Sequence, residues 1–163
     1  MTPADESSAH AAHLERCVEL AELALEEGDD PFGSVLVSAD GTVLAEDRNR
    51  ETTTADPTAH PELALARWAV RHLPPAERAA ATVYTSGEHC PMCAAAHGWA
   101  GLGRIVYAAS SAQLAAWRAE WGLPESPVRV LPITDVVPGL EVVGPVAPYD
   151  ERMRAVHQRA ARR

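Results

Sequence analysis

Apolar and polar positions alternate along the chain in two rhythms. From Ser8 to Glu27 the apolar residues Leu14, Cys17, Val18, Ala21 and Leu25 recur at spacings of three and four, one face of a helix. Gly28 followed by Asp29, Asp30 and Pro31 ends it, with Gly28 as the helix-terminating glycine. Gly33 to Val37 is a short apolar run, Asp40-Gly41 is a hairpin turn signal, and Thr42 to Arg48 is the partner strand. Glu51 to Pro57 is polar and Thr-rich and reads as a loop. Helical spacing returns over Pro61 to Leu73 and stops at Pro74-Pro75. Further on, a strand (Thr82 to Ser86), a helix (Pro91 to Ala100, ended near Gly101), a strand (Arg104 to Ala109) and a helix (Gln113 to Trp121) follow in turn. Beyond Pro124 the chain is Pro-rich. Val128 to Leu131 and Leu140 to Val143 are strand candidates there, and Tyr149 to Ala161 reads as a final helix.

Strands alternating with helices predict a layered α/β domain, and the opening hairpin makes its sheet mixed. The 163 residues suit one domain spanning 1–163, and 47% apolar content is enough for a core, built mainly from Ala, Val and Leu. A formal net charge of -9 argues against a polyanionic partner, so no nucleic acid is expected. The arginines gathered near the C-terminus (Arg152, Arg154, Arg159, Arg162, Arg163) read as a solvated helix face. No apolar run approaches the ~20 residues that span a bilayer, so no membrane is expected. The N-terminus MTPADESSAH lacks the basic-then-apolar pattern of a secretory leader. Three cysteines with one close pair make a poor disulfide framework and a reasonable metal signature. A reducing cytoplasm is the expected location.

Two short constellations carry the chemistry, His60-Pro61-Glu62 and Cys90-Pro91-Met92-Cys93. In each, a metal-ligand residue is followed by a proline that opens a helix, where proline is favoured at the first position. The ligands then sit at helix mouths, whose positive dipole end favours thiolate, the metal-binding form of cysteine. Cys90 and Cys93, three apart, share one helix face. Three protein ligands leave a fourth position for water, the pattern of a catalytic rather than a structural zinc. Zinc lowers the pKa of such a water, and a nearby non-ligand carboxylate, Glu62, can move protons from the water to a leaving nitrogen.

His-x-Glu with a later Cys-x-x-Cys resembles the cytidine-deaminase-like superfamily. Pro31-Phe32-Gly33, Asn49, Asp56-Pro57-Thr58-Ala59-His60 and Tyr84-Thr85-Ser86 before Glu88-His89-Cys90 resemble its bacterial guanine and cytosine deaminase branch, over about half the chain. The resemblance implies a three-layer α/β/α sandwich around a mixed five-stranded sheet. It implies hydrolytic deamination of a free nucleobase or related heterocycle (guanine, cytosine, isoguanine or aminotriazine type) with release of ammonia. It implies Zn2+ held by His60, Cys90 and Cys93, with Glu62 as proton shuttle. Asn49 and Phe32 match residues that meet the base, Pro61 and Glu88 flank the same pocket, and a homodimer is expected.

Two departures bear on the substrate. The position of Pro61 commonly holds Ala or Gly, whose N–H can donate to the ring, and proline has none. His89 stands where proline is usual, and Gly87 where cysteine is frequent. His89 on its own reads as an exposed loop histidine, with a pocket role or a fourth metal ligand as the alternative, His97 as a packing residue and Cys17 as core. Asp135, Glu141 and Asp150 are open candidates for closing the pocket. Two rival readings use the same centre: a nucleoside or tRNA-editing deaminase, and a non-catalytic zinc-stabilised binding protein.

Overall fold

The architecture follows from which face of each strand the helices cover. A computed structural model describes the backbone of residues 3–163 and side chains from residue 10 on; the first two residues of the leader reading lie outside it. Among the described residues the elements run α1 (Pro3–Glu27), β1 (Gly33–Val37), β2 (Val43–Arg48), α2 (Glu51–Thr54), α3 (Pro61–His72), α4 (Pro75–Ala80), β3 (Thr82–Gly87), α5 (Pro91–Ala100), β4 (Ile105–Ala109), α6 (Ser111–Glu120), α7 (Ile133–Val136), β5 (Val142–Val143) and α8 (Tyr149–Ala160). The sheet order is β2-β1-β3-β4-β5, with β1 antiparallel to β2 and β3, and β3, β4 and β5 parallel. This is the expected mixed five-stranded sheet.

Strand residues alternate between the two faces. Val35 and Val37 of β1 and Val106 and Ala108 of β4 pack with Leu14, Val18 and Leu25 of α1 and Met153 and Val156 of α8. Leu36, Val83, Ile105 and Tyr107 point the other way, onto Leu65 and Ala69 of α3 and Ala94 of α5. Helices thus cover both faces in three layers. All five residues of β1 and of β4 are buried, as central strands sandwiched by helices must be.

The glycine stops work as read. Past α1, Gly28 (φ +96°) donates to Leu25 O and Asp29 to Ala24 O, the paired bonds of a Schellman cap. Gly101 (φ +68°) and Leu102 repeat the motif on Gly98 O and His97 O after α5. Three expectations need correction. Glu51–Thr54 is a helical turn, not loop, because Asp29 accepts the N–H groups of Thr52 and Thr53, at 2.8 Å each, and caps it from outside. Pro75 opens α4 at its first turn instead of only stopping α3. Val128 to Leu131 is not a strand, and the last strand shrinks to Val142–Val143. Three of the C-terminal arginines form exposed ion pairs, Arg152 with Glu15, Arg154 with Glu120 and Arg159 with Glu22, as suits a solvated helix face.

Gly33 starts β1 directly beneath α1. A Cβ placed there would lie 2.6 Å from Cys17 O and 2.8 Å from Ala21 N, and would also strike Leu20 Cβ. Helix backbone cannot swing aside as a side chain can. Gly33→Ala is therefore expected to destabilise the fold by about 3 kcal/mol, the upper range for overpacking, seen as a lower urea midpoint with unchanged slope.

Candidate metal centre and active site

The site forms where β3 ends and two helices begin. His60 is the N-cap of α3 and Cys90 the N-cap of α5, both with extended backbone and both followed by proline in the first turn. Their carbonyls accept the first helical bonds, from Ala64 (3.2 Å) and Ala94 (2.8 Å). The local design read from the two motifs is present. Cys93, one turn into α5, is fully buried.

His60 Nδ1 lies 3.6 Å from Cys90 Sγ and 3.5 Å from Cys93 Sγ. The three donor atoms all fall within 4.8 Å of one another. Metal–sulfur and metal–nitrogen bonds of ~2.3 and ~2.05 Å at a tetrahedral angle separate nitrogen from sulfur by about 3.6 Å. The donor set and its spacing therefore fit zinc. The three groups are also coupled electrostatically. Hydrogen bonding from Cys93 and from His60 pulls the Cys90 thiol down to about 4, so a thiolate stands ready. The Cys90 sulfur and the Glu51 carboxylate push His60 up to about 10, while hydrogen bonding to Cys90 and burial push Cys93 up.

Glu62, in the first turn of α3, is buried at 6% exposure. Burial raises its pKa above the usual carboxylate range. Ser34 and Thr85 are register partners on β1 and β3, on the sheet face that α3 covers. Ser34 Oγ donates to Thr85 Oγ1 at 2.9 Å, and the one Thr85 hydroxyl proton is shared between Glu62 Oε1 at 3.1 Å and Gly87 O at 3.0 Å. The carboxylate is thus aimed by a buried pair of hydroxyls.

Asn49 is buried, with its N–H bonded to Phe32 O at 3.0 Å. Its side chain is tied to Glu51 twice, Nδ2 donating to Oε2 (2.8 Å) and Oδ1 accepting from the Glu51 N–H (3.0 Å). Phe32 meets His157 of α8 edge-on, with ring centroids 5.1 Å apart, and an added Cβ at Gly87 would stand 3.2 Å from its ring. Gly87 thus leaves room for Phe32. Pro61 is buried at the first position of α3. Glu88 spends both oxygens on backbone donors, Ser111 N–H (2.9 Å) and Ile133 N–H (3.0 Å), pinning α6 and α7 to the metal loop.

Sequence reasoning missed two residues and misjudged the burial of a third. Glu51, in the supposed loop, places Oε1 3.1 Å from His60 Nε2. His157 brings α8 against Phe32; burial lowers its pKa to about 4 and keeps it neutral. His89 is buried at 1% exposure rather than exposed, and neither ring nitrogen has a hydrogen-bond partner among the described residues. It meets His97 edge-on at 5.4 Å, and His97 Nε2 bonds Gly103 O, a packing role as expected. Cys17 is core, also as expected. Of the three open candidates, Asp150 accepts from Gln113, Glu141 pairs with Arg104 and Asp135 is exposed.

An α/β sandwich that presents one histidine and two cysteines at paired helix mouths, with a buried glutamate two residues from the histidine, is a zinc-binding domain of the deaminase type. Residues 7–109 match the family described as the cytidine and deoxycytidylate deaminase zinc-binding region. The chain belongs to that family. It is similar to a guanine deaminase of Bacillus subtilis, 42% identical over 101 residues, covering 61% of this chain and 64% of that protein. It is similar also to a tRNA-specific adenosine deaminase of Agrobacterium fabrum, 40% identical over 84 residues, covering 52% and 55%. The matched region therefore spans less than two thirds of either relative's length. In overall shape it is similar to the solved guanine deaminase from Nitrosomonas europaea, with TM-score 0.70 over 93% of this chain and 84% of that one at 21% identity. That likeness concerns the fold alone.

Proposed function

We propose that this chain is a zinc-dependent hydrolytic deaminase of a free amino-bearing nucleobase, with guanine first among the substrates. The observation that carries the reading is the buried Glu62 beside the His60, Cys90 and Cys93 donor set, since a purely structural metal site needs no such carboxylate. The 42% identity to a guanine deaminase favours a base over a nucleoside.

Zinc, when bound, supplies a Lewis acid that brings a water nucleophile within reach at neutral pH. Everything else falls to the chain. Glu62 takes one proton from the attacking water and gives it to the substrate's ring nitrogen as the C–O bond forms, then takes the remaining hydroxyl proton and gives it to the amine, which departs as ammonia while the C=O forms. Thr85, backed by Ser34, holds the carboxylate in line. Asn49 has four hydrogen-bonding positions, of which Glu51 takes two, leaving one N–H and one lone pair for the base. Phe32 walls the pocket. Pro61 withdraws one backbone donor from the ring. We read Glu88 as the fastener of α6 and α7 to the pocket loop, not as a residue that meets the base.

The same reading takes residues 1–163 as one domain working as a homodimer in a reducing compartment. Trp99, 93% exposed on α5 beside the packed α3, favours a partner on that face. Among the described residues no helix is long and apolar enough to cross a membrane.

The test is ammonia release from guanine, cytosine, isoguanine, adenine and aminotriazines, against guanosine, cytidine and an anticodon-stem oligonucleotide. Turnover of one or more free bases, with guanine foremost, is expected. Turnover confined to nucleosides or the oligonucleotide overturns the free-base reading, and the net charge of -9 weighs against a polyanion. No turnover of any of them, by zinc-loaded protein, would leave a binding protein.

A further inference from the structure

We propose that Glu51 is a positioning residue that locks the metal ligand His60 and the base-contacting Asn49 in register with one another through a single carboxylate. The Asn49 half of this rests on the function proposed above; the His60 half does not.

Four bonds define the arrangement. Oε1 of Glu51 lies 3.1 Å from His60 Nε2. Oε2 accepts from Asn49 Nδ2 at 2.8 Å, and the Glu51 N–H donates to Asn49 Oδ1 at 3.0 Å. The Glu51 carbonyl in turn accepts the Asp56 N–H at 3.1 Å, tying the segment that leads to His60. The base of the side chain is itself fixed. Glu51 is the first residue of α2, and Asp29 holds that turn through Thr52 and Thr53.

Each bond has a consequence for a neighbour. A carboxylate on Nε2 keeps that nitrogen an N–H donor, so Nδ1, which lies beside the two sulfurs, is the nitrogen available to a metal. The same residue decides how the Asn49 amide lies. Turned over, its NH2 would face the Glu51 N–H and its oxygen would face the carboxylate, two repulsive contacts in place of two bonds. Asn49 therefore always shows the base the same N–H and the same lone pair. The spatial relation between the metal's histidine and the base's asparagine is set by one rigid group, so metal affinity and base affinity depend on it together.

A group that holds the far nitrogen of a ligating histidine contributes 10–100-fold in metal affinity. Glu51→Gln keeps the side chain's size but has one acceptor oxygen, so it cannot serve both His60 and Asn49. Zinc affinity measured by chelator competition is expected to fall 10–100-fold. KM for the best substrate of the screen is expected to rise at least fivefold at saturating zinc. The melting temperature of the zinc-free protein should stay within about 2 °C of wild type, whereas a merely structural role would lower it. Glu51→Asp, which retains both acceptor oxygens, is expected to recover part of the loss in zinc affinity. Asn49→Ala should raise KM while leaving zinc affinity within twofold, and the Glu51→Gln, Asn49→Ala pair should raise KM no further than Asn49→Ala alone.

Zinc affinity within twofold of wild type in both Glu51 variants overturns the proposal. So does a KM that rises additively in the double variant. If zinc affinity falls as expected but wild type turns over no base, the His60 half stands and the proposed function is what fails. Should Glu51→Gln not fold, Glu51→Asp carries the same two readouts, with a smaller effect expected in each.

Discussion

Glu62→Gln is expected to keep a full complement of zinc and to lose deamination by about 10²–10⁴-fold, the usual contribution of a positioned general acid–base group. The substitution is close to silent for the structure. Glutamine has the same shape, and its amide oxygen accepts the Thr85 hydroxyl in place of Oε1. Glu62 lies in the first turn of α3 and is buried, so the pocket wall is unchanged in volume. No member of the donor set is altered, because Glu62 is not among His60, Cys90 and Cys93. What disappears is a group able to accept a proton and give it back. The loss should therefore appear in kcat and kcat/KM together, with KM little changed, the pattern of an interaction needed only on the way through the reaction. Zinc content by elemental analysis and ammonia release on one sample decide it. A variant that keeps its zinc and more than a tenth of its activity would remove Glu62 from the proton path.

The metal donors were legible in the sequence because their geometry is local. Cys90 and Cys93 are one helical turn apart, and the prolines after Cys90 and His60 announce the helix starts that present them. The Asp40-Gly41 turn and the α1 face were legible for the same reason: each is written within a few residues. What escaped is set by contacts across the chain. The α2 turn exists because Asp29, more than twenty residues earlier, caps it, and no periodicity inside a Thr-rich stretch signals that. Glu51 became visible only once that turn brought its carboxylate to His60. The partners of Glu88 lie 23 and 45 residues away, so its work of holding α6 and α7 has no local signature. His89 looked exposed because polar loop residues usually are; its burial against His97 is a consequence of how α5 packs. His157 could not be placed against Phe32 before α8 was placed against the sheet.

Cys93→Ala is expected to weaken zinc binding about a hundredfold and, with it, to lose activity and a measurable part of the stability. Cys93 is fully buried and supplies one of three donors. Apparent zinc-binding free energies of ~10 kcal/mol or more, divided over three donors, assign about 3 kcal/mol to each, or two orders of magnitude in affinity. Binding to the folded state alone stabilises by about 4 kcal/mol when free metal stands at a thousand times Kd. A hundredfold weaker site at the same metal concentration gives up about 2.7 kcal/mol of that. For a domain of this size the melting temperature should then drop by about 5–10 °C. Chelation separates this from simple loss of packing. Removing zinc from both should bring the wild-type melting temperature to within about 3 °C of the variant's, since the two apoproteins differ only by a buried sulfur. The variant itself should respond to chelator only about a third as much as wild type. The reverse outcome, a variant still shifted by chelator as much as wild type, would mean that the metal is held elsewhere. In that case the 3.5 Å approach of Cys93 Sγ to His60 Nδ1 would be a packing contact and not half of a coordination sphere.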